Sequence, residues 1–392
     1  MPSRRRFLAG TSALALAPLA ASCSRSRSGL DVRLLQDSLP PQVLAAFRQQ
    51  HGNDTALNVT PEPQLRTIWE RLQAWQAQAD SAGQQAGIGA LWPFGGGAEA
   101  VADLATLGDY WLQPAIQQGT IRAFEAAELQ DWAQLPARWH APLRRDAQGQ
   151  PDEGGAIWGA PYRWGATAIA YHRDRLDALG WRPRDWTDLW RPELRDRISV
   201  LDSARETIGL TLKALGASYN TGDLSQVPQL EGKLQALHRQ VKFYSSNHYL
   251  QPLILGDTWA AVGWSHDLLA LRRRYPQIEA VFPQSGTALW LDLWVKPAAK
   301  ESLSQEARSR LGNWIGFCWQ LQTARQISQL GNAASPLLPA MAAERLPSEV
   351  AQEPLLHPPQ PLLDRSEFLL PLPTPARQQY QALWRRIRQS AR

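Results

Sequence analysis

The chain has 392 residues, 44% hydrophobic and 20% charged, which excludes a disordered chain; at roughly 150 residues per domain it predicts two to three domains. Lys and Arg number 41 against 36 Asp and Glu, but Arg4, Arg5 and Arg6 lie in a segment read below as removed, and the small remaining excess is no nucleic-acid footprint. Two cysteines exclude a disulfide scaffold and a cysteine-based zinc site.

Residues 3–8 read Ser-Arg-Arg-Arg-Phe-Leu and open an apolar run of about 15 residues, short of the roughly 20 that span a bilayer. A charged start, a short apolar stretch and small residues after it predict a signal peptide over residues 1–22. The arginines before Phe7-Leu8 resemble the signature of the twin-arginine export route. Ala20-Ala21-Ser22-Cys23 resembles a lipobox. Cys23 is therefore a candidate lipidation site, residues 23–29 a tether, and the periplasm the expected location. Cys318, within Trp314-Ile315-Gly316-Phe317-Cys318-Trp319, reads as a small core residue.

Alternation predicts a strand at 30–35, a turn at Asp37-Ser38-Leu39-Pro40-Pro41 and a helix at 42–50. The strand, loop, helix order recurs, which argues for α/β with mostly parallel strands. Residues 81–100, with Gly95-Gly96-Gly97, read as a flexible insertion, and 144–155 as a second loop. A strand at 198–202 precedes a helix at 204–215. The proline-rich 346–375 reads as extended, and Tyr380, Leu383, Trp384 and Ile387 mark a last helix.

Motifs for catalysis are mostly missing. Gly87-Ile88-Gly89 lacks the third glycine of a dinucleotide fingerprint, and Gly232-Lys233 is followed by Leu234, so it is no P-loop. Gly263-Trp264-Ser265-His266-Asp267 has Asp267 where a nucleophile elbow needs glycine. The seven histidines contain no i, i+4 pair. No metal, cofactor or enzymatic activity is expected. The aromatic content is unusual: 18 Trp and 8 Tyr. Many must be core, but Tyr110-Trp111, Tyr162, Trp164, Trp264 and Trp290 read as lying at strand ends, where open α/β sheets bind ligands. Rings with a few carboxylates suit a flexible organic cation.

In order and spacing, the stretch from Ile157 to Tyr171, Trp186-Thr187-Asp188-Leu189-Trp190, Ser203-Ala204-Arg205-Glu206, Gly263-Trp264-Ser265 and Leu289-Trp290-Leu291-Asp292 resemble the polyamine (spermidine/putrescine) binding proteins of ABC importers. The resemblance implies a two-lobed α/β periplasmic-binding-protein fold, type II-like, each lobe a mixed sheet flanked by helices. Crossing strands would join the lobes and act as a hinge. Carried over, lobe one is 30–165 with 292–336, and lobe two is 166–291 with 337–392. The implied partners are a polyamine or other small molecule and a membrane permease, with the binding protein monomeric.

The same resemblance places Glu206, Asp292, Trp264, Trp290 and Tyr110 in the ligand pocket, and Asp37, Ser38 and Ser203 are further candidate ligand-binding residues. Ser38 stands where a tyrosine is common and Ser203 where a second acid is. Competing readings remain at this stage. Ser203-x-x-Glu206 has the form of a capping box, in which Glu206 would bond backbone. Asp292 sits in an apolar strand and needs a cation, either ligand or arginine. Arg205 is expected to pair with an acid such as Asp202. The alternatives to a polyamine are an anion held by Arg163, an amino-acid-like compound or ferric iron, and beyond binding proteins an exported enzyme.

Overall fold

The computed structural model describes residues 29–52, 56–85, 100–300 and 303–390. The proposed signal segment, Cys23 and most of the tether lie outside them. In chain order, β1 (Gly29–Leu35), α1 (Pro41–His51), β2 (Ala56–Glu62), α2 (Leu65–Gln85) and β3 (Leu104–Gly108) come first. α3 (Leu112–Gln117), β4 (Ile121–Arg122), β5 (Arg144–Arg145), β6 (Ala156–Ile157) and the long β7 (Ala160–His172) follow. Next are α4 (Arg173–Asp177), β8 (Ile198–Val200), α5 (Ala204–Ala214), α6 (Leu230–Gln240), β9 (Val241–Tyr244) and α7 (Gln251–Leu255). β10 (Ala260–Trp264), α8 (Ser265–Arg274), β11 (Ile278–Val281) and β12 (Ala288–Pro297) lead to α9 (Gln305–Cys318) and α10 (Leu321–Leu330). α11 (Ser348–Ala351), α12 (Gln360–Arg365), β13 (Glu367–Phe368) and α13 (Thr374–Gln389) come last.

Local chemistry accounts for these elements. In β1, Leu30, Val32 and Leu34 alternate into the core and fix its register. α5 starts where the Ser203 hydroxyl accepts the Glu206 backbone N–H. In α13, Tyr380, Leu383 and Ile387 form one buried stripe against α5 and α6. Three sequence expectations need correction. Residues 81–85 continue α2 rather than opening the insertion. The stretch 144–155 starts on β5 and is closed by its antiparallel pairing with β6. The proline-rich tract carries short helices α11 and α12, each entered from a proline, whose fixed φ suits a helix start.

The sheet runs β2-β1-β3-β12-β7-β10-β8-β9. β1, β2 and β3 are mutually parallel, as are β8, β9 and β10. Between these two parallel sets stand β12 and β7, antiparallel to each other and to their outer neighbours. β7 pairs β12 through residues 160–166 and β10 through 167–171, so one strand serves both halves of the molecule. The result is two α/β halves joined by two crossing strands.

Most of the aromatic mass lies in the core. Trp75, Trp139, Trp164, Trp186, Trp294, Trp314 and Trp319 are among the largest fully buried side chains. Tyr162 and Trp164, read above as strand-end residues, sit inside β7 and face the core instead. Tyr162 stacks on Trp294 at 4.5 Å, and the Trp164 Nε1–H donates to the Ser335 carbonyl at 3.1 Å. Cys318 is buried in α9, as its sequence context suggests.

Candidate functional site between the two halves

The register locates the site. β3 ends at Gly108, opposite Asp292 of β12, and Asp292 lies opposite Arg163 of β7. β10 ends at Trp264, opposite Thr167 of β7. The carboxyl ends of the two parallel sets therefore face each other across residues 163–167. At about 3.3 Å per residue, Arg163 and Thr167 are roughly 13 Å apart along the strand. Side chains alternate across a sheet, so Arg163, Gly165 and Thr167 share one face, opposite to Trp164; the register shift between Asp292 and Leu293 interrupts the alternation at Tyr162, which stacks on Trp294. This face is the floor of the site.

One end of the floor holds Asp292 and Arg163, both buried, with Arg163 Nε donating to Asp292 Oδ2 at 2.6 Å. The cation that Asp292 requires is thus supplied by the protein itself. Asp109, at the end of β3, stands beside this pair. Its Oδ1 accepts the Leu291 N–H at 3.2 Å, and it forms no ion pair with any described residue. Burial pushes the Asp109 carboxyl up to about 7; the Leu291 bond and the charge of Arg145 oppose the rise, and Asp292 adds to it.

The other end holds Glu206 on the first turn of α5. Its Oε2 accepts from the Thr167 hydroxyl at 2.9 Å. Burial pushes its carboxyl up to about 7, with Thr167, the Trp264 indole and the more distant Arg205 charge pulling the other way. Among the described residues Glu206 also has no ion-pair partner. Only half of the expected capping box forms: Ser203 caps α5, but the Glu206 side chain turns to Thr167 instead of the Ser203 N–H, which bonds the Leu201 carbonyl. Arg205 does not pair with Asp202. It bonds the Tyr219 and Leu370 carbonyls and the Asn220 side chain, while Asp202 faces Arg388 at 3.7 Å.

Between the ends lies Trp290. A Cβ built on Gly165 would come within 2.2 Å of Trp290 Cζ2 and 2.4 Å of Ser265 Oγ, so only glycine lets the indole lie on β7. The Trp290 Nε1–H is buried without a hydrogen-bond partner. His266 meets Trp290 edge-on at 5.1 Å and stacks with Trp264 at 6.2 Å. Behind them, the Trp264 backbone N–H donates to the Tyr249 hydroxyl at 3.2 Å, which in turn donates to Asp267 at 2.6 Å. Asp267 also faces the His266 ring at 3.1 Å. A Cβ on Gly263 would likewise strike the Tyr249 ring, so glycine there lets Tyr249 reach the Trp264 backbone.

The remaining predicted residues sit around this floor. Tyr110 is 58% exposed at the end of β3 and edge-on to Trp111. Asp37 is an exposed turn residue with φ of 59°. Ser38 is buried with its hydroxyl beside that of Tyr162.

The profile of the bacterial extracellular solute-binding proteins matches residues 99–360. The chain belongs to this family. It is 26% identical over 266 residues to the spermidine/putrescine-binding periplasmic protein of Escherichia coli K12, covering 68% of this chain and 72% of that one. Over 165 residues it is 28% identical to a putrescine/cadaverine-binding protein of Pseudomonas aeruginosa, covering 39% and 47%. The crystal structure of the substrate-binding protein PotD of a Streptococcus pneumoniae spermidine/putrescine ABC transporter superposes with a TM-score of 0.72. It has 19% identity and covers 92% of this chain and 98% of its own.

Within this solute-binding family, sequence reasoning missed Asp109. Its sequence signal was its place before Tyr110 at a strand end; that its neighbour Gly108 opposes Asp292 is fixed by the sheet register. Thr167 and Gly165 were also passed over. Both lie inside the stretch that carried the resemblance, on the alternate positions of β7.

Proposed function

We propose that this chain is the substrate-binding component of an ABC importer that captures a polyamine, such as putrescine or spermidine, between its halves and hands it to a membrane permease. The observation that carries this reading is Glu206: a buried carboxylate, raised toward neutral pH, with no ion-pair partner among the described residues and the Trp264 indole beside it. Asp109 repeats the pattern at the opposite end. An ammonium group satisfies such a carboxylate, and aromatic faces cover the methylenes between ammonium groups. The named ligands of the relatives point the same way.

In this reading lobe one is 30–165 with 292–336, and lobe two is 166–291 with 337–392. The packing of α13 on α5 and α6 supports assigning the last helix to lobe two. The ligand touches both lobes and closes them, because the closed form binds it more tightly. The chain acts as a monomer without enzymatic activity. Its twin-arginine signal takes it to the periplasm, where Cys23 carries a lipid. Tryptophan fluorescence and calorimetry of the mature chain test the ligand class, against putrescine, spermidine, amino acids and simple anions. Saturable binding of amines is expected. Binding of anions alone overturns the reading.

A further inference from the structure

His266 lies on the first turn of α8, two residues past the end of β10, where that strand reaches the floor. Its ring meets both candidate pocket tryptophans, Trp290 edge-on at 5.1 Å and Trp264 nearly parallel at 6.2 Å. The two ring nitrogens have different surroundings. Nε2 lies 3.1 Å from Asp267 Oδ1, while Asp267 Oδ2 accepts from the Tyr249 hydroxyl. Burial pushes the Asp267 carboxyl up, but the His266 ring, the Tyr249 hydroxyl and the Arg163 charge outweigh it and hold the carboxyl below its usual range. An ionised carboxylate only accepts, so on a neutral ring Asp267 keeps the imidazole proton on Nε2. Nδ1 is left as a lone-pair acceptor, and among the described residues nothing donates to it: it is buried without a hydrogen-bond partner.

The middle of the floor therefore asks for an N–H, as its ends do. Glu206 and Asp109 are the acceptors at the ends, and His266 Nδ1 is the acceptor beside Trp290 between them. A diamine reaching from one end to the other passes this nitrogen with methylenes and leaves it unanswered. A secondary ammonium inside a triamine donates to it, with indole faces about the charge and the Asp267 carboxylate behind the ring. Without such an acceptor the extra ammonium would be a burial penalty, and the plain diamine would be the better guest.

We propose that His266 is a specificity-determining residue, accepting an N–H from the interior ammonium of a triamine whose end ammonium groups lie at Glu206 and Asp109. This rests on the amine reading above and narrows it to triamines. His266 is covered to the same purpose as Glu206, and the parting of the halves that admits a guest to one admits it to the other.

Calorimetry on the mature chain at about pH 8, where an ordinary imidazole is neutral, tests this with spermidine and 1,8-diaminooctane. The second probe is the diamine of equal length in which a methylene replaces the interior nitrogen. Spermidine is expected to bind about tenfold or more tighter, the difference of one charge-assisted hydrogen bond. His266→Phe keeps a flat ring against the tryptophans and removes Nδ1. It should weaken spermidine about tenfold and leave 1,8-diaminooctane within a factor of about three. Wild-type affinity for 1,8-diaminooctane equal to or above that for spermidine overturns the inference while leaving the amine reading intact. An equal loss for both probes in His266→Phe overturns the contact, because a merely structural role moves both. Silence toward both probes in the wild type overturns the amine reading and this inference together. Should His266→Phe fail to fold, the wild-type comparison decides alone.

Discussion

Asp292 and Glu206 are both carboxylates, both buried and both near the crossing strands, yet they are in opposite electrostatic states. Asp292 has a guanidinium bonded at 2.6 Å. Glu206 has a neutral hydroxyl, an indole and, among the described residues, no ion pair, and burial raises its carboxyl to about 7 against the two hydrogen bonds. Burial by itself therefore does not identify a ligand-binding acid. A paired acid holds the frame together, and an unpaired one, in the reading proposed above, takes its cation from a guest.

The largest effect should come from breaking the paired side. Asp292→Ala strands the Arg163 guanidinium and is expected to destabilise the ligand-free protein by about 3–5 kcal/mol. Thermal or urea unfolding checks this; a midpoint unchanged from wild type would show that the pair contributes nothing and erase the contrast. On the other side, Glu206→Gln removes a charge that the protein leaves unanswered. It should weaken amine binding by about 2–3 kcal/mol while leaving the unfolding midpoint near pH 7 no lower than wild type. Calorimetry and a melt on the same sample separate the two readouts.

Titration sharpens the same contrast. Without ligand Glu206 and Asp109 titrate near 7. An ammonium beside either one lowers that value, so below pH 7 binding must expel a proton. Amine affinity should fall by up to about tenfold per pH unit for each carboxylate as pH drops from 7 toward 5. Stability of the ligand-free protein runs the other way. A carboxyl raised from 4.5 in the folded chain holds its proton more tightly there than in the unfolded chain. Its contribution therefore favours folding at low pH and declines as pH rises from about 4.5 through 7. Affinity and stability that rise together over this window would contradict the unpaired state of both acids. The smallest effect belongs to Ser203→Ala, which removes the α5 cap at a cost of about 1 kcal/mol in stability. Its amine affinity should change little, since the hydroxyl is occupied by the Glu206 N–H.

Much of the fold could be read in advance, because it rests on local periodicity. β1, α1, α5 and the last helix follow from apolar spacing and caps within a few residues of their observed bounds. The site was less legible. Glu206 and Trp264 could be brought together only through a resemblance, since 57 residues of chain separate two groups that meet at the ends of the neighbouring strands β8 and β10. Whether Asp292 met an arginine or a ligand depended on a cross-strand register that no local pattern encodes. Tyr162 and Trp164 were misplaced for a related reason. In a strand buried on both faces, hydrophobic and polar residues do not sort cleanly, and the face of each side chain is fixed only by its partners.

The alternation along β7 has a practical corollary. Core anchors and guest-facing positions are interleaved, so Thr167 can be exchanged with Trp164 untouched, whereas Arg163 is tied to Asp292 and Gly165 to the Trp290 indole. Inserting one residue ahead of them would trade the two sets, driving a guanidinium into the interior and an indole into the gap. Point substitution can retune this strand, whereas a change in its length breaks it.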